Sequence, residues 1–275
     1  MNTIGIDLGI SLFKIVECDD KLNIIHKMSF SRKDMEKDLD EFININNINL
    51  NNVEKIVITG VYSLQINLEK IKGIPVIKTE EFLSIAKGGM NLANKKEGII
   101  ISIGTGTAFI RAKGGSITHI GGTGIGGGVL LNLCRRFTEA ESFDEIVELA
   151  SKGDISKVDL TIGDITKEKI PNLPADITAV NFGKLSKGAG EADIALGIIN
   201  MIFETVGMMA VFAAKEDSVK DIILAGSLTK IPYIKTVFER FKWICDLNFI
   251  IPENAEYCAA IGAIAWANEN NKKEK

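Results

Sequence analysis

The feature that most constrains this chain is a duplication: a strand, a glycine turn and two further strands occur twice, with Asp7 matching Ser102 and Gly9 matching Gly104, 95 positions apart. The first copy reads as strands over Thr3–Leu8 and Leu12–Cys18 around Gly9, with a third over Leu22–Ser29 after the turn Asp19-Asp20-Lys21. The second reads as Ile99–Ile103, Ala108–Ala112 and Ser116–Ile120 around Gly104-Thr-Gly-Thr. Apolar runs of four to eight residues bounded by turn signals carry these assignments. A repeated supersecondary unit of this size predicts two similar lobes facing each other across a cleft, the place where ligands are usually held.

Between and after the copies the pattern alternates helix and strand, as an α/β chain does. Helical spacing is expected over Ser31–Asn46, over Thr79–Ala93 with Thr79 as the cap, from the glycine run to about Arg136, over Phe143–Ser151, over Glu191–Lys215, from Pro232 to Phe241 and over Ala255–Ala267. Strands are expected at Lys55–Thr59, Pro75–Ile77 and Val219–Leu224. The helix at 191–215 is apolar on much of its surface and rich in small residues and Met, which suits a core helix or a dimer seam. Residues 268–275 are polar and expected to fray. At 275 residues, 46% hydrophobic, the chain can bury one large core or two. We divide it into an N-terminal lobe, 1–96, and a C-terminal lobe, 97–275.

Composition removes several function classes. A formal net charge of −4, without a lysine- or arginine-rich cluster interleaved with aromatics, argues against nucleic acid as partner. Cys18, Cys134, Cys245 and Cys258 are widely spaced, and only His26 and His119 could join them, so a zinc site or disulfide framework is not expected. No export signal precedes Ile4, and no uninterrupted apolar run approaches the length of a membrane span, so the expected location is the cytoplasm, away from the membrane.

Chemistry concentrates in three glycine-containing turns. Backbone N–H groups of a tight turn between strands can converge on an anion, and two such turns can straddle a polyphosphate. In the first, Asp7 could hold Mg²⁺ directly or through water, and Lys14 could reach a phosphate. In the second, Thr105 and Thr107 add hydroxyl donors. The third, Gly121–Gly128, has six glycines in eight residues before a helix, whose N-terminal dipole would favour phosphate. It ends in no Gly-Lys-Ser/Thr and does not follow the first strand, so it is neither a P-loop nor a dinucleotide fingerprint.

With Gly5-Ile-Asp-Leu-Gly, Ser102-Ile-Gly-Thr-Gly-Thr, Gly121-Gly-Thr-Gly-Ile-Gly-Gly-Gly, Val158-Asp-Leu, Gly163-Asp-Ile and Leu173-Pro-Ala-Asp-Ile-Thr-Ala-Val-Asn-Phe-Gly-Lys in this order, the chain resembles the type II pantothenate kinases. These belong to the actin-like ATPase and sugar kinase superfamily. The resemblance implies a duplicated, actin-like (ribonuclease H-like) two-lobed α/β fold with an ATP cleft between the lobes. It implies phosphorylation of pantothenate to 4′-phosphopantothenate, the first step of coenzyme A biosynthesis, with ATP and Mg²⁺, by a homodimer. It places the catalytic carboxylate on Glu81, with Glu80 the rival if the register slips. The ATP contacts fall on Gly9, Ile10, Ser11, Lys14, Thr105, Gly106, Gly127, Gly128, Val129, Leu130 and Leu131, with Phe143 against adenine and Ser227 near the nucleoside. Thr105, His119 and Glu81 face the acceptor. Three positions depart from the family pattern: Gly9-Ile10-Ser11 replaces Gly-Gly-Thr, Ala108 replaces Ser, and His119 replaces an Arg, exchanging a fixed cation for a titratable ring. A sugar or N-acetylhexosamine kinase of the same fold and an ATP-binding regulatory protein without transfer activity are the competing readings.

Overall fold

The computed structural model describes residues 1–31, 34–171, 174–185, 188–215, 219–241 and 245–271. The first repeat forms β1 (Asn2–Leu8), β2 (Leu12–Cys18) and β3 (Ile24–Ser31), followed by α1 (Met35–Ile45), β4 (Val53–Thr59), β5 (Lys70–Ile71), β6 (Ile74–Lys78) and α2 (Glu81–Leu92). The second forms β7 (Gly98–Ile103), β8 (Thr107–Lys113) and β9 (Ser116–Thr123), then α3 (Gly127–Phe137), α4 (Phe143–Ala150), β10 (Leu160–Thr161), α5 (Ile162–Ile165) and β11 (Thr178–Val180). The chain closes with α6 (Glu191–Lys215), β12 (Asp221–Ala225), α7 (Tyr233–Phe241), β13 (Asn248–Ile250) and α8 (Cys258–Asn271).

Two sheets result, of order β3-β2-β1-β4-β6-β5 and β13-β12-β7-β8-β9, and a two-stranded ribbon pairs β10 with β11. In each large sheet an antiparallel meander flanks parallel strands: β1, β4 and β6 in the first, β7, β12 and β13 in the second. The two-fold period of a strand sends alternate residues to opposite faces. Ile4, Ile6, Leu8, Ile56 and Ile58 therefore pack outward with Leu39 and Phe42 of α1. Ile99, Ile101 and Ile103 pack outward with Ile199, Ile202, Phe203, Val237 and Phe238 of α6 and α7. Each such fully buried side chain contributes about 1.5–3 kcal/mol.

The inner faces hold two helices that cross between the sheets. Ile85 and Ala86 of α2 pack on Ile100, Ile110 and Ile223 of the second sheet, whereas Ala260, Ile261 and Ile264 of α8 pack on Val16 and Cys18 of the first. Glycines permit the crossing: a methyl on Gly262 would lie 1.8 Å from the Ser84 carbonyl oxygen, and one on Gly88 would lie 1.9 Å from that of Cys258. α6 is long and apolar enough to cross a membrane by length and composition, but most of it is buried, as a core helix is.

Several expected boundaries move. The third strand starts at Ile24, because Leu22 takes a left-handed turn at φ 67°. α2 is capped by Glu80, one residue later than expected, because the Thr79 N–H donates to the Ile58 carbonyl and extends the strand side of the junction. The closing helix runs on to Asn271, where Glu269 pairs with Lys87 at 2.6 Å, so residues 268–271 are helical and only 272–275 lie outside the described residues. Leu173 of the sequence motif also lies outside them.

Candidate functional site

The carboxyl ends of β1, β4 and β6 sit side by side and deliver three segments to one place. Asp7, one residue before the end of β1, lies opposite Lys14 of β2, both are buried, and the Lys14 Nζ stands 4.0 Å from the Asp7 Oδ2. Burial pushes the Asp7 carboxyl above its ordinary pKa, and the Lys14 ammonium pulls it partly back. After β6 the chain turns into α2, whose first residue is Glu81. Its carboxyl is raised to about 7, chiefly by burial, then by the charge of Asp7, with Lys14 opposing. Glu80 is exposed at the cap, so of the two neighbouring carboxylates it is Glu81 that shares the electrostatics of Asp7 and Lys14.

The two glycine loops meet. The Ser11 and Thr105 hydroxyl oxygens lie 2.9 Å apart, a hydrogen bond between residues 94 positions apart that joins the β1–β2 turn to the β7–β8 turn. The second loop is in turn fastened to the glycine run: the N–H groups of Gly127 and Gly128 donate to the carbonyls of Gly104 and Thr105 at 2.7 and 2.9 Å. The Thr107 hydroxyl donates to the Ile125 carbonyl at 2.7 Å. These donors are occupied by the protein itself. What the start of α3 offers an anion is therefore its dipole and the space glycine leaves, while the exchangeable hydroxyls are those of Ser11 and Thr105.

A second duplication appears here. Gly60 after β4 and Gly226 after β12 both have φ 92°, and each opens a short 3₁₀ turn, Val61–Gln65 and Ser227–Lys230. A methyl on Gly60 would sit 2.7 Å from both the Asp7 Oδ1 and the Leu8 carbonyl oxygen, and one on Gly226 would sit 2.6 Å from the Ile103 carbonyl oxygen. Each thus presses a turn against the strand that leads into a loop. The Gly226 turn brings Ser227 and Leu228 beside the glycine run, with Leu228 Cδ1 2.8 Å from where a Gly127 methyl would stand.

The remaining expected positions fall as follows. Ile10 is exposed at the tip of the first loop. Leu130 is buried in α3, while Val129, Leu131 and Phe143, at the start of α4, are half-buried against the outer core of the second lobe. His119 on β9 stacks face to face on Phe82, next to Glu81, with ring centroids 4.1 Å apart and planes 3° from parallel. Ala108 pairs with Ser102 in the β7–β8 register. Asp159 is 1% exposed and accepts hydrogen bonds from the Phe182 N–H at 2.8 Å and the Asn200 amide at 2.7 Å. Glu204 of α6 accepts from Thr178 and Asn181 at 2.7 and 2.8 Å, so the described part of the 173–184 motif is anchored on α6.

Among the described residues no group of three or more His, Cys, Asp or Glu side chains is placed to hold a metal by itself. Asp7 suits a shared cation better: a buried carboxylate disfavoured in its charged form gains from a nearby positive charge, and Mg²⁺ commonly takes one or two carboxylates with the rest of its shell from water and phosphate.

A family profile described as Fumble matches residues 96–264. The type II pantothenate kinase of Oceanobacillus iheyensis is 30% identical over 273 residues, covering 96% of this chain and 99% of that protein. That of Staphylococcus aureus is 28% identical over 272 residues, covering 95% and 98%. Among solved structures, the activator of the 2-hydroxyisocaproyl-CoA dehydratase from Clostridium difficile with bound ADPNP aligns with a TM-score of 0.69 at 16% identity, over 100% of this chain and 97% of that one. A ROK family glucokinase from Streptomyces griseus in complex with glucose and AMPPNP aligns at 0.63 and 13%, over 96% and 98%. The fold is that of the actin-like ATPases and ROK sugar kinases.

Proposed function

The chain belongs to the Fumble family of type II pantothenate kinases, and from that premise we propose that it transfers the γ-phosphoryl group of ATP to the primary hydroxyl of pantothenate. The product is 4′-phosphopantothenate, the first intermediate toward coenzyme A. The observation that carries the reading is the Glu81–Asp7–Lys14 cluster beside the meeting point of the two loops. Phosphoryl transfer asks a protein for placement and charge neutralisation more than for a strong base. Lys14 supplies a buried fixed cation, and the Ser11 and Thr105 hydroxyls, freed from each other, can turn to phosphate oxygens. The α3 dipole, Gly106 and residues Gly127–Leu131 receive the remaining negative charge, with Phe143 and Ser227 on the nucleoside side. Glu81, titrating near neutrality, accepts the proton of the acceptor hydroxyl as the bond to phosphorus forms. Mg²⁺ held at Asp7 would neutralise charge between the phosphates. His119, stacked on Phe82, forms the acceptor-side wall.

Residues 1–96 supply the charged groups and 97–275 the phosphate cradle, and both act in the cytosol. A second copy joins through α6, where Phe212 is 57% exposed on a mostly buried helix. The decisive experiment is ADP release by the purified protein with ATP and Mg²⁺, with pantothenate set against a panel of hexoses and N-acetylhexosamines. Turnover on pantothenate that Glu81→Ala removes supports the reading. Turnover only on a sugar, or tight ATP binding without turnover on any alcohol, overturns it.

A further inference from the structure

The cavity of about 680 Å³ at the opposite end of the molecule from the phosphate loops has no part in the proposed reaction. Its walls come from the β2–β3 turn of one sheet, the β8–β9 turn of the other, and the C-terminal halves of α2 and α8 that cross between them. It is therefore a back cleft, the counterpart of the front one, and whatever occupies it touches both lobes.

Its lining has two zones. Half-buried Leu22, Met90 and Ile117, with buried Ala112, form an apolar floor. Around it stand Lys21, Lys87, Lys95, Lys96 and Lys113 against the carboxylates of Asp20 and Glu269. Lys87 pairs with Glu269 at 2.6 Å and Lys95 with Asp221 at 2.7 Å. Lys21, which lies in the field of Asp19, and Lys96 stand on different segments of the rim. The C-terminal ends of α2 and α8 face the cavity with about half a negative charge each. On the cavity wall itself five lysines stand against the two carboxylates Asp20 and Glu269, in a protein whose net charge is −4. Leu22 adds an independent mark: it lines the floor from a backbone at φ 67°, a conformation a leucine rarely adopts and one that tends to gather at ligand sites.

We propose that this back cleft is a binding site for an amphipathic organic anion, its apolar body on the Leu22–Met90–Ile117 floor and its anionic head between Lys21 and Lys96. The probe is 8-anilinonaphthalene-1-sulfonate, which carries both parts, titrated by fluorescence into the folded wild-type chain in the presence of saturating ADPNP to occupy the front cleft. Saturable binding at one site is expected. It should weaken about tenfold or more in the Lys21→Glu/Lys96→Glu double variant and stay within about twofold in Lys21→Arg/Lys96→Arg, since a lost charge-assisted contact is worth about one decade of affinity. Circular dichroism melting of each variant shows that the fold is kept. Absence of saturable binding, or equal affinity in the wild type and the charge-reversed variant, would overturn the proposal. Because the variants sit in the back cleft, they locate the probe whether or not nucleotide binds in front.

Discussion

The two lobes share one plan and differ in what they place at the same point of it. In the first, β1 carries Asp7 one residue before its end, buried with Lys14, and the strand two places across the sheet leads into Glu81. In the second, the matching strand β7 has Ser102 in that place, and its loop carries glycines and hydroxyls fastened to the start of α3. One lobe carries charge at this point and the other carries glycines and hydroxyls. Duplication supplies two facing loops without further design, but a phosphotransferase needs different chemistry from each, and the divergence lies in a few residues at strand ends while the strand order stays parallel.

The strongest way to break this comparison is to remove the charge from the first lobe. Glu81→Gln should lower kcat by about 10²–10⁴ with the melting temperature unchanged, the usual span for a lost proton acceptor. An unaffected kcat would move the chemistry elsewhere. Asp7→Asn should cost roughly tenfold to a hundredfold in kcat/KM, from the loss of a charged contact worth about 1.5–3 kcal/mol. It also sharpens the electrostatics. With Glu81 titrating near 7, activity rises as pH passes upward through that value, because the carboxylate is the working form. Removing the negative neighbour lowers the Glu81 pKa, so the acidic limb of the pH profile should shift to lower pH. Burial, the larger cause, remains, so the shift is partial.

Smaller effects test the symmetry itself. Gly60→Ala and Gly226→Ala force the same methyl into the same backbone geometry, and each should cost about 1–3 kcal/mol in urea unfolding. Gly60→Ala should also reduce turnover, because its methyl meets the Asp7 carboxylate, whereas Gly226→Ala meets backbone. Equal losses of activity would mean that the charged lobe is not special. The mildest test is Ser11→Ala, which deletes one of the two hydroxyls that bridge the loops. A change of a few-fold in the KM for ATP is expected from a hydrogen bond worth about 0.5–1.5 kcal/mol.

Much of this was legible in the chain. The meanders, the order of the main helices and strands and the bounds of α6 follow from apolar periodicity, which is local. β5 and β10, of two residues each, and β13, of three, are too short to show a period, and they exist only because a longer strand or ribbon partner offers hydrogen bonds. Nothing near Gly60 or Gly226 in sequence shows that each abuts a strand end. Asp159 read as one letter of a motif, and its partners Phe182 and Asn200 lie 23 and 41 positions away.

The sequence by itself determined the duplication, the loops and the family, because these rest on neighbouring residues and on motifs in order. Tertiary structure decided which carboxylate lies in the field of Asp7 and Lys14: Glu81, not the exposed Glu80. It also decided that Gly127, Gly128 and Thr107 spend their donors on the protein, leaving Ser11 and Thr105 to face each other. The physical reason is the same in each case. Burial, the field of a neighbouring charge and the competition for a hydrogen-bond donor depend on distances between segments that only folding brings together.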